Sequence, residues 1–392
     1  MGAFITGIGI VSCIGNSVNE NFDNLSDTKS GIISKDFIGV NRSVRVGEVK
    51  LSNSELKQEL GISGGFVSRT VLLALKAARE AWGDQSINQG LKTGVISATS
   101  VGGMDGTETF YLDEAQGKRG NQDVFLTHES GCSASAIAKE LGIDGYVNTL
   151  STACSSGTNA MILGERLLSS GQLDRVIVGG TDALCAFTIN GFSSLMIYDE
   201  DWCRPFDNSR KGLNLGEGAA YLVLESEKSL TKTGNRPIAV YSGGANASDA
   251  YHQTASSPDG KGATIAMSSA LEMAKLRPED VGYVNAHGTA TPNNDQSESV
   301  ALINVFGDFV PDFSSTKAFT GHTLAAAGAI EAVYSVLALN NQCCFPNLNF
   351  RTPIEGPNLT PLTRLKNKPL KHVLSNSFGF GGNNSSIVIS AV

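Results

Sequence analysis

Two hydrophobic rhythms alternate along the chain. "GAFITGIGIVS" is a short apolar run rich in β-branched residues and reads as a strand. "VSRTVLLALKAAREAW" places apolar residues at helical spacing with charges on the other face, which predicts a helix over 67–82. "KTGVISATSVGG" is a strand running into a glycine turn, and "LDRVIVGGTDAL" repeats that design. Strand and helix periods alternate throughout, which points to an α/β fold.

A second cycle follows the first. "PIAVYSGGANASD" opens like the N-terminal strand, "GATIAMSSALEMAKL" matches the helix over 67–82, and "VGYVNAHGTATP" matches "TGVISATSVGG". "FSSTKAFTGHTLAAAGAIEAVYSVLAL" parallels "NTLSTACSSGTNAMILGERLLSSG": each runs strand, Ser-Thr, loop, small-residue helix. The polar stretch "EKSLTKTGNRP" separates the cycles near Gly234, so two related halves are expected, 1–234 and 235–392, with a single large α/β domain as the alternative. Facing halves would bring equivalent loops together, and Cys154 of one would meet His287 and His322 of the other.

The 392 residues are 41% hydrophobic and 17% charged, which suits a large globular enzyme. The N-terminus lacks the basic start and apolar run of a signal peptide, and no uninterrupted apolar stretch approaches ~20 residues. A cytoplasmic protein without membrane association is expected. Seven cysteines without regular spacing or CxxC argue against a disulfide framework and a structural zinc site. A net charge of −8 argues against nucleic-acid binding and means that an acidic partner would need a local basic patch.

Most isolated cysteines are packed core thiols. Cys154 differs because it falls between "GYVNTLSTA", read as a buried strand, and a helix with Ala160, Leu163, Leu167 and Leu168 at helical spacing. A helix N-terminus favours thiolate and offers N–H groups to an oxyanion, so a lowered thiol pKa is expected. His287 in "NAHGTATPNND" and His322 in "TKAFTGHTLAAAG" stand beside glycines at strand ends, where neutral imidazoles could exchange hydrogen bonds with a substrate. Lys317 adjoins the His322 loop, and Asp295 and Glu298 could cap, pair locally or anchor that lysine. "SNSFGFGGNNSSIVIS" carries Phe378 and Phe380 in a glycine turn before a strand; this is no nucleotide fingerprint, and suits backbone approaching a ligand beneath a phenylalanine.

"STACSSG", "NAHGTATPNND", "SSTKAFTGHTLAAAGAIEA" and "NSFGFGGNN", in this order, resemble the signatures of the β-ketoacyl-(acyl carrier protein) synthases, in the elongating Cys-His-His class of the thiolase superfamily. The resemblance covers essentially the whole chain. It implies a duplicated thiolase-like fold of five αβαβα layers, usually a homodimer, and decarboxylative Claisen condensation of an acyl chain with malonyl-(acyl carrier protein). Cys154 matches the nucleophile, His287 and His322 the pair serving malonyl decarboxylation, Lys317 the lysine beside them, and Glu298 the acid that orders the region. The amides of Cys154 and Phe378 match the oxyanion hole, and Phe378 also matches the gate. Thr289 and Thr291 match the threonines on the pantetheine arm, while Val101, Phe192 and Phe378 lie near the acyl pocket, with Phe380 a further substrate contact. No metal or cofactor is implied beyond the carrier's phosphopantetheine.

Some positions depart from the family pattern. "GISGGFVSR" offers only Arg69 where a basic docking cluster is usual, and "GFSSLMIYDEDW" lacks a common arginine. Lys118 and Arg119 do match a basic carrier-docking pair, and Asn383 replaces a threonine. These departures weigh against ordinary housekeeping fatty-acid synthesis and bring polyene, polyketide or pigment pathways into view beside fatty-acid synthesis. A non-catalytic chain-length partner in a heterodimer is the alternative, but such partners generally lack the nucleophilic cysteine. His322 and "GHTLAAAG" disfavour a degradative thiolase.

Overall fold

The computed structural model describes residues 3–85 and 90–392. Ten strands build the central sheet: β1 (Ala3–Ser12), β2 (Thr93–Ala98), β3 (Tyr146–Leu150), β4 (Arg175–Asp182), β5 (Gly218–Glu225), β6 (Ala239–Ser248), β7 (Tyr283–Asn285), β8 (Asp312–Ser314), β9 (His372–Gly379) and β10 (Asn383–Ser390). Their order is β8-β7-β9-β10-β6-β1-β5-β4-β2-β3. In the first half β1 runs antiparallel to β5, β5 antiparallel to β4, and β2 parallel to both β4 and β3. The second half repeats this strand for strand, with β6, β10, β9, β7 and β8. Three register pairs join the halves: Ala3 with Tyr241, Phe4 with Val240 and Ile5 with Ala239.

Helices complete the layers. α1 (Arg69–Trp82) covers β1 and β5, and α5 (Lys261–Ala274) covers β6 and β10. Between the half-sheets lie α3 (Ser156–Ser169) and α7 (Ala327–Asn341), in mutual contact. The stack is therefore helix, sheet, helix pair, sheet, helix. α2 (Met104–Ala115), α4 (Ala186–Ser194) and α6 (Pro292–Phe306) flank the loops at the junction. α7 is apolar and buried on every side, as a central helix must be. Leu324–Asn341 is long and apolar enough to cross a bilayer, but 89% of it is buried in this core. Glycines let the central pair approach: a Cβ on Gly157 would lie 2.8 Å from the Ala325 carbonyl oxygen, and one on Gly328 would lie 2.1 Å from Thr158 Oγ1.

Two local expectations change. The helix expected over 67–82 begins at Arg69, and Ser68 is its extended N-cap residue. The segment read as a buried strand, β3, is instead the last strand of the sheet, half-buried, with Val147 exposed. Its β-branched pattern satisfies one neighbour, β2, and leaves one edge open.

Candidate active site

Cys154 sits in the turn between β3 and α3, one residue before the helix N-cap Ser155. Ala153 adopts a left-handed φ of 54°, which costs a non-glycine residue roughly 1–2 kcal/mol. The surroundings hold that turn in place. Ser155 Oγ lies 2.7 Å from both the Thr152 carbonyl oxygen and Asn383 Oδ1. Ser156 Oγ accepts from the Thr152 N–H at 2.8 Å. Asn383 Oδ1 also accepts from Asn159 (2.9 Å) and Asn246 (2.6 Å), so the residue that departs from the family pattern clamps the cysteine turn to the Gly-rich loop. Gly379 makes the approach possible, since a Cβ there would lie 3.0 Å from the Thr152 carbonyl oxygen.

The Cys154 thiol is 5% exposed, and burial pushes its pKa up to about 11. Lys317 and the backbone N–H of Phe380 pull the other way without prevailing. The lowered pKa expected from the helix terminus is therefore not found, because removal from water outweighs the favourable field.

Cys154 Sγ and a ring nitrogen of each of His287 and His322 lie within 4.8 Å of one another. The rings meet edge to face at 5.4 Å. Their outward nitrogens are already committed. Lys317 Nζ donates to His287 Nδ1 at 3.2 Å, and an ammonium can only donate. The Leu324 N–H donates to His322 Nδ1 at 3.1 Å. Both Nδ1 atoms are acceptors, so in the neutral rings both Nε2 atoms carry the proton. Among the described residues neither Nε2 has a protein partner. Burial foremost, and then the Lys317 charge, hold both imidazoles well below their usual pKa. The site thus presents two neutral N–H donors beside a thiol. Cysteine and two histidines could in principle hold a soft metal ion, but the adjoining Lys317 ammonium opposes a cation there.

Lys317 also donates to the His287 carbonyl oxygen at 2.6 Å and forms a buried ion pair with Glu331. Neither acid suggested as its anchor touches it. Glu298 instead accepts from the N–H groups of His287 (2.8 Å) and Gly288 (2.7 Å), which fixes the His287 backbone, and burial raises it to about 7. Asp295 accepts from the N–H groups of Phe206 (2.7 Å) and Ala290 (3.1 Å). Glu331 was missed in the sequence, although a lone acid in the otherwise apolar α7 was a usable signal.

Two cavities meet at Cys154. One, of about 300 Å³, is lined by both histidines, Thr289, Thr291, Phe378 and, at its exposed margin, Lys211. The threonine hydroxyls bond each other at 2.9 Å. The other, of about 510 Å³, is lined by Val101, Phe187, Leu195 and Leu324. Phe192 and Phe380 border both and stack at 5.7 Å. The oxyanion amide and gate expected at Phe378 fall differently. The backbone amides that favour the Cys154 thiolate are those of Phe380 and Cys154 itself rather than of Phe378, and the Phe380 ring stands at the junction, whereas the Phe378 ring tilts against His287 at 6.0 Å. The turn after Gly379 displaces the contributing amide by two residues. Lys118 and Arg119 are exposed beyond the end of α2 and line neither cavity.

This arrangement, a helix-terminal thiol facing two neutral imidazoles at the junction of a duplicated five-layer fold, defines a condensing enzyme of the thiolase type. Comparison with known proteins agrees. The β-ketoacyl synthase N-terminal domain family matches residues 3–229 and the C-terminal domain family residues 238–351. The chain is 35% identical to 3-oxoacyl-(acyl-carrier-protein) synthase 2 of Staphylococcus aureus over 98% of its length and 99% of that protein's. It superposes on the ishigamide ketosynthase/chain length factor with a TM-score of 0.92 and 28% identity, covering 100% of this chain and 99% of that one. On AntDE:AntF, a type II polyketide synthase acyl-carrier protein in complex with its ketosynthase, the TM-score is 0.90 at 30% identity, with 100% and 99% covered. The chain belongs to the β-ketoacyl synthase family.

Proposed function

We propose that this enzyme loads an acyl group onto Cys154 and condenses it with a malonyl unit on an acyl carrier protein, yielding carbon dioxide and a 3-oxoacyl-(acyl carrier protein). The sulfur attacks the acyl thioester, the oxyanion is held by the amides of Cys154 and Phe380, and the thiol proton leaves on the pantetheine thiol. Malonyl thioester then occupies the cavity of His287 and His322, with Thr289 and Thr291 along the pantetheine arm. As carbon dioxide departs, the electron pair of the broken bond forms an enolate whose oxygen accepts from both Nε2–H groups. The enolate carbon attacks the Cys154 thioester, and the cysteine leaves as thiolate, which takes up one proton from solvent. The acyl chain lies in the larger cavity behind Phe380.

The observation that carries this reading is the pair of unpartnered Nε2 atoms beside the thiol, each with its Nδ1 occupied. Lys118 and Arg119, together with Lys211, supply positive charge for an acidic carrier. The open edge of β3 supports pairing with a second copy or a related subunit. The reading takes the enzyme to be cytoplasmic, without a cofactor of its own, and active in fatty-acid or specialised polyene or polyketide synthesis. Mass spectrometry of Cys154→Ala after exposure to an acyl-pantetheine thioester tests it. The variant should show no acylation, and stoichiometric labelling would remove Cys154 from the role.

A further inference from the structure

Asp182, the last residue of β4, is fully buried, and among the described residues it forms no ion pair. A carboxylate in that position is costly unless hydrogen bonds compensate it. Its donors come from both halves of the protein. From the first half, Thr99 Oγ1 donates at 2.6 Å, the Ser100 N–H lies 3.0 Å from each oxygen, and the Val101 N–H donates at 3.3 Å. From the second half, the Ala325 N–H donates at 2.8 Å.

These donors belong to functional surfaces. Ser100 and Val101 form one wall of the larger cavity, and Leu324, next to Ala325, lines it as well. Leu324 is also the residue whose N–H fixes the His322 tautomer, and it does so from a left-handed φ of 53°. Such a conformation in a leucine persists only where neighbours over-determine it. The Ala325 N–H bond to Asp182 immediately follows that strained residue. One carboxylate therefore holds the Ser100–Val101 wall of the acyl cavity and the Leu324–Ala325 peptide, the next along the chain from the peptide that aims His322.

We propose that Asp182 is a positioning residue that couples filling of the acyl cavity to the alignment of His322, so that malonyl decarboxylation is favoured once Cys154 is loaded. A chain in the cavity presses on Val101 and Leu324, and both hang from the same carboxylate. Displacement of either wall is passed to the Leu324 N–H and hence to the direction of the His322 Nε2–H. This role rests on the function proposed above.

The test compares the first-turnover rate of carbon dioxide release from malonyl-pantetheine by free and by pre-acylated enzyme, in wild type, Asp182→Asn and Thr99→Val. Small thioesters remove carrier docking from the measurement. The asparagine amide keeps the shape but turns N–H groups toward backbone donors. Its acylation rate should stay within about threefold of wild type, while the acylated-to-free ratio falls on the order of tenfold, within the usual range of coupling between sites. Thr99→Val removes the hydroxyl that donates to Asp182 and accepts from the Gly102 N–H but leaves the backbone donors to the carboxylate, should lower the same ratio less, and serves if Asp182→Asn does not fold. A wild-type ratio in whichever of these variants folds would overturn the coupling role alone. Equal losses in acylation and in both release rates would replace it with a purely structural one. Absence of Cys154 acylation in the wild type would overturn the functional reading, and the role of Asp182 with it.

Discussion

Lys317 donates through Nζ to Nδ1 of His287 at 3.2 Å, and this contact decides which nitrogen of the imidazole keeps its proton. The same ammonium is paired with Glu331 in the core, so the orientation of a reacting group depends on a buried ion pair. The Leu324 N–H does the equivalent work for His322 with no charge at all.

Breaking the pair should separate stability from chemistry. Lys317→Met leaves Glu331 buried without its charged partner, and such losses run to roughly 3–5 kcal/mol. The double variant Lys317→Met/Glu331→Gln should regain much of that stability but not malonyl decarboxylation, because His287 Nδ1 still lacks its donor. Denaturant unfolding and carbon dioxide release, measured on both variants, check this. Recovery of both together would mean that Lys317 acts only through folding.

Glu298 offers a pH test. Its folded pKa is raised from 4.5 to about 7 by burial, so between those values the folded state keeps a proton that the unfolded state has lost. Its contribution to stability is present below about pH 4.5 and is lost as pH rises through about 7. Glu298→Gln has no such proton, so the stability of the variant relative to wild type should increase across that window. Unfolding curves from pH 5 to pH 8, with a difference that stays flat, would contradict the assignment.

The two phenylalanines make opposite predictions. Phe380 stacks on Phe192 where the cavities meet, so Phe380→Ala should admit water to the acyl-enzyme and shorten its lifetime by on the order of tenfold, about 1.4 kcal/mol of barrier. Phe378→Ala should leave that lifetime nearly unchanged and slow decarboxylation, since its ring leans on His287. The reverse pattern would restore Phe378 as the gate.

Charge reversal at Lys118 and Arg119 tests the carrier surface. The double change to Glu should weaken acylation from acyl-(acyl carrier protein) and reduce its salt sensitivity, while acylation from a small pantetheine thioester is unaffected. Equal losses with both donors would place the pair in folding or chemistry.

Much of this could be read from the residues. Four ordered motifs identified the chemistry, and the repeated strand–loop–helix units anticipated the identical strand order of the two half-sheets and the meeting of Cys154 with His287 and His322. What escaped the sequence was set by three-dimensional contact. Glu331 lies fourteen positions beyond Lys317 on another helix, and no spacing rule pairs the two residues. The depressed thiol pKa failed because a helix terminus is visible in a sequence whereas the depth at which its thiol is buried is not. β3 was read as buried because its residue types suit a core strand, and its place at the sheet edge depends on the order in which strands assemble. The two-residue displacement from Phe378 to Phe380 reflects a turn with Gly381 and Gly382 at φ of 78° and 73°.

The central claim is that the imidazoles serve the malonyl step and the thiol serves the acyl step. Single-turnover measurements on His322→Ala, following Cys154 acylation by mass and carbon dioxide release in parallel, test it most directly. The account predicts a measurable acyl-enzyme and a fall in carbon dioxide release by on the order of 10²-fold or more, the scale of one lost oxyanion donor. Blocked acylation with decarboxylation spared would contradict it.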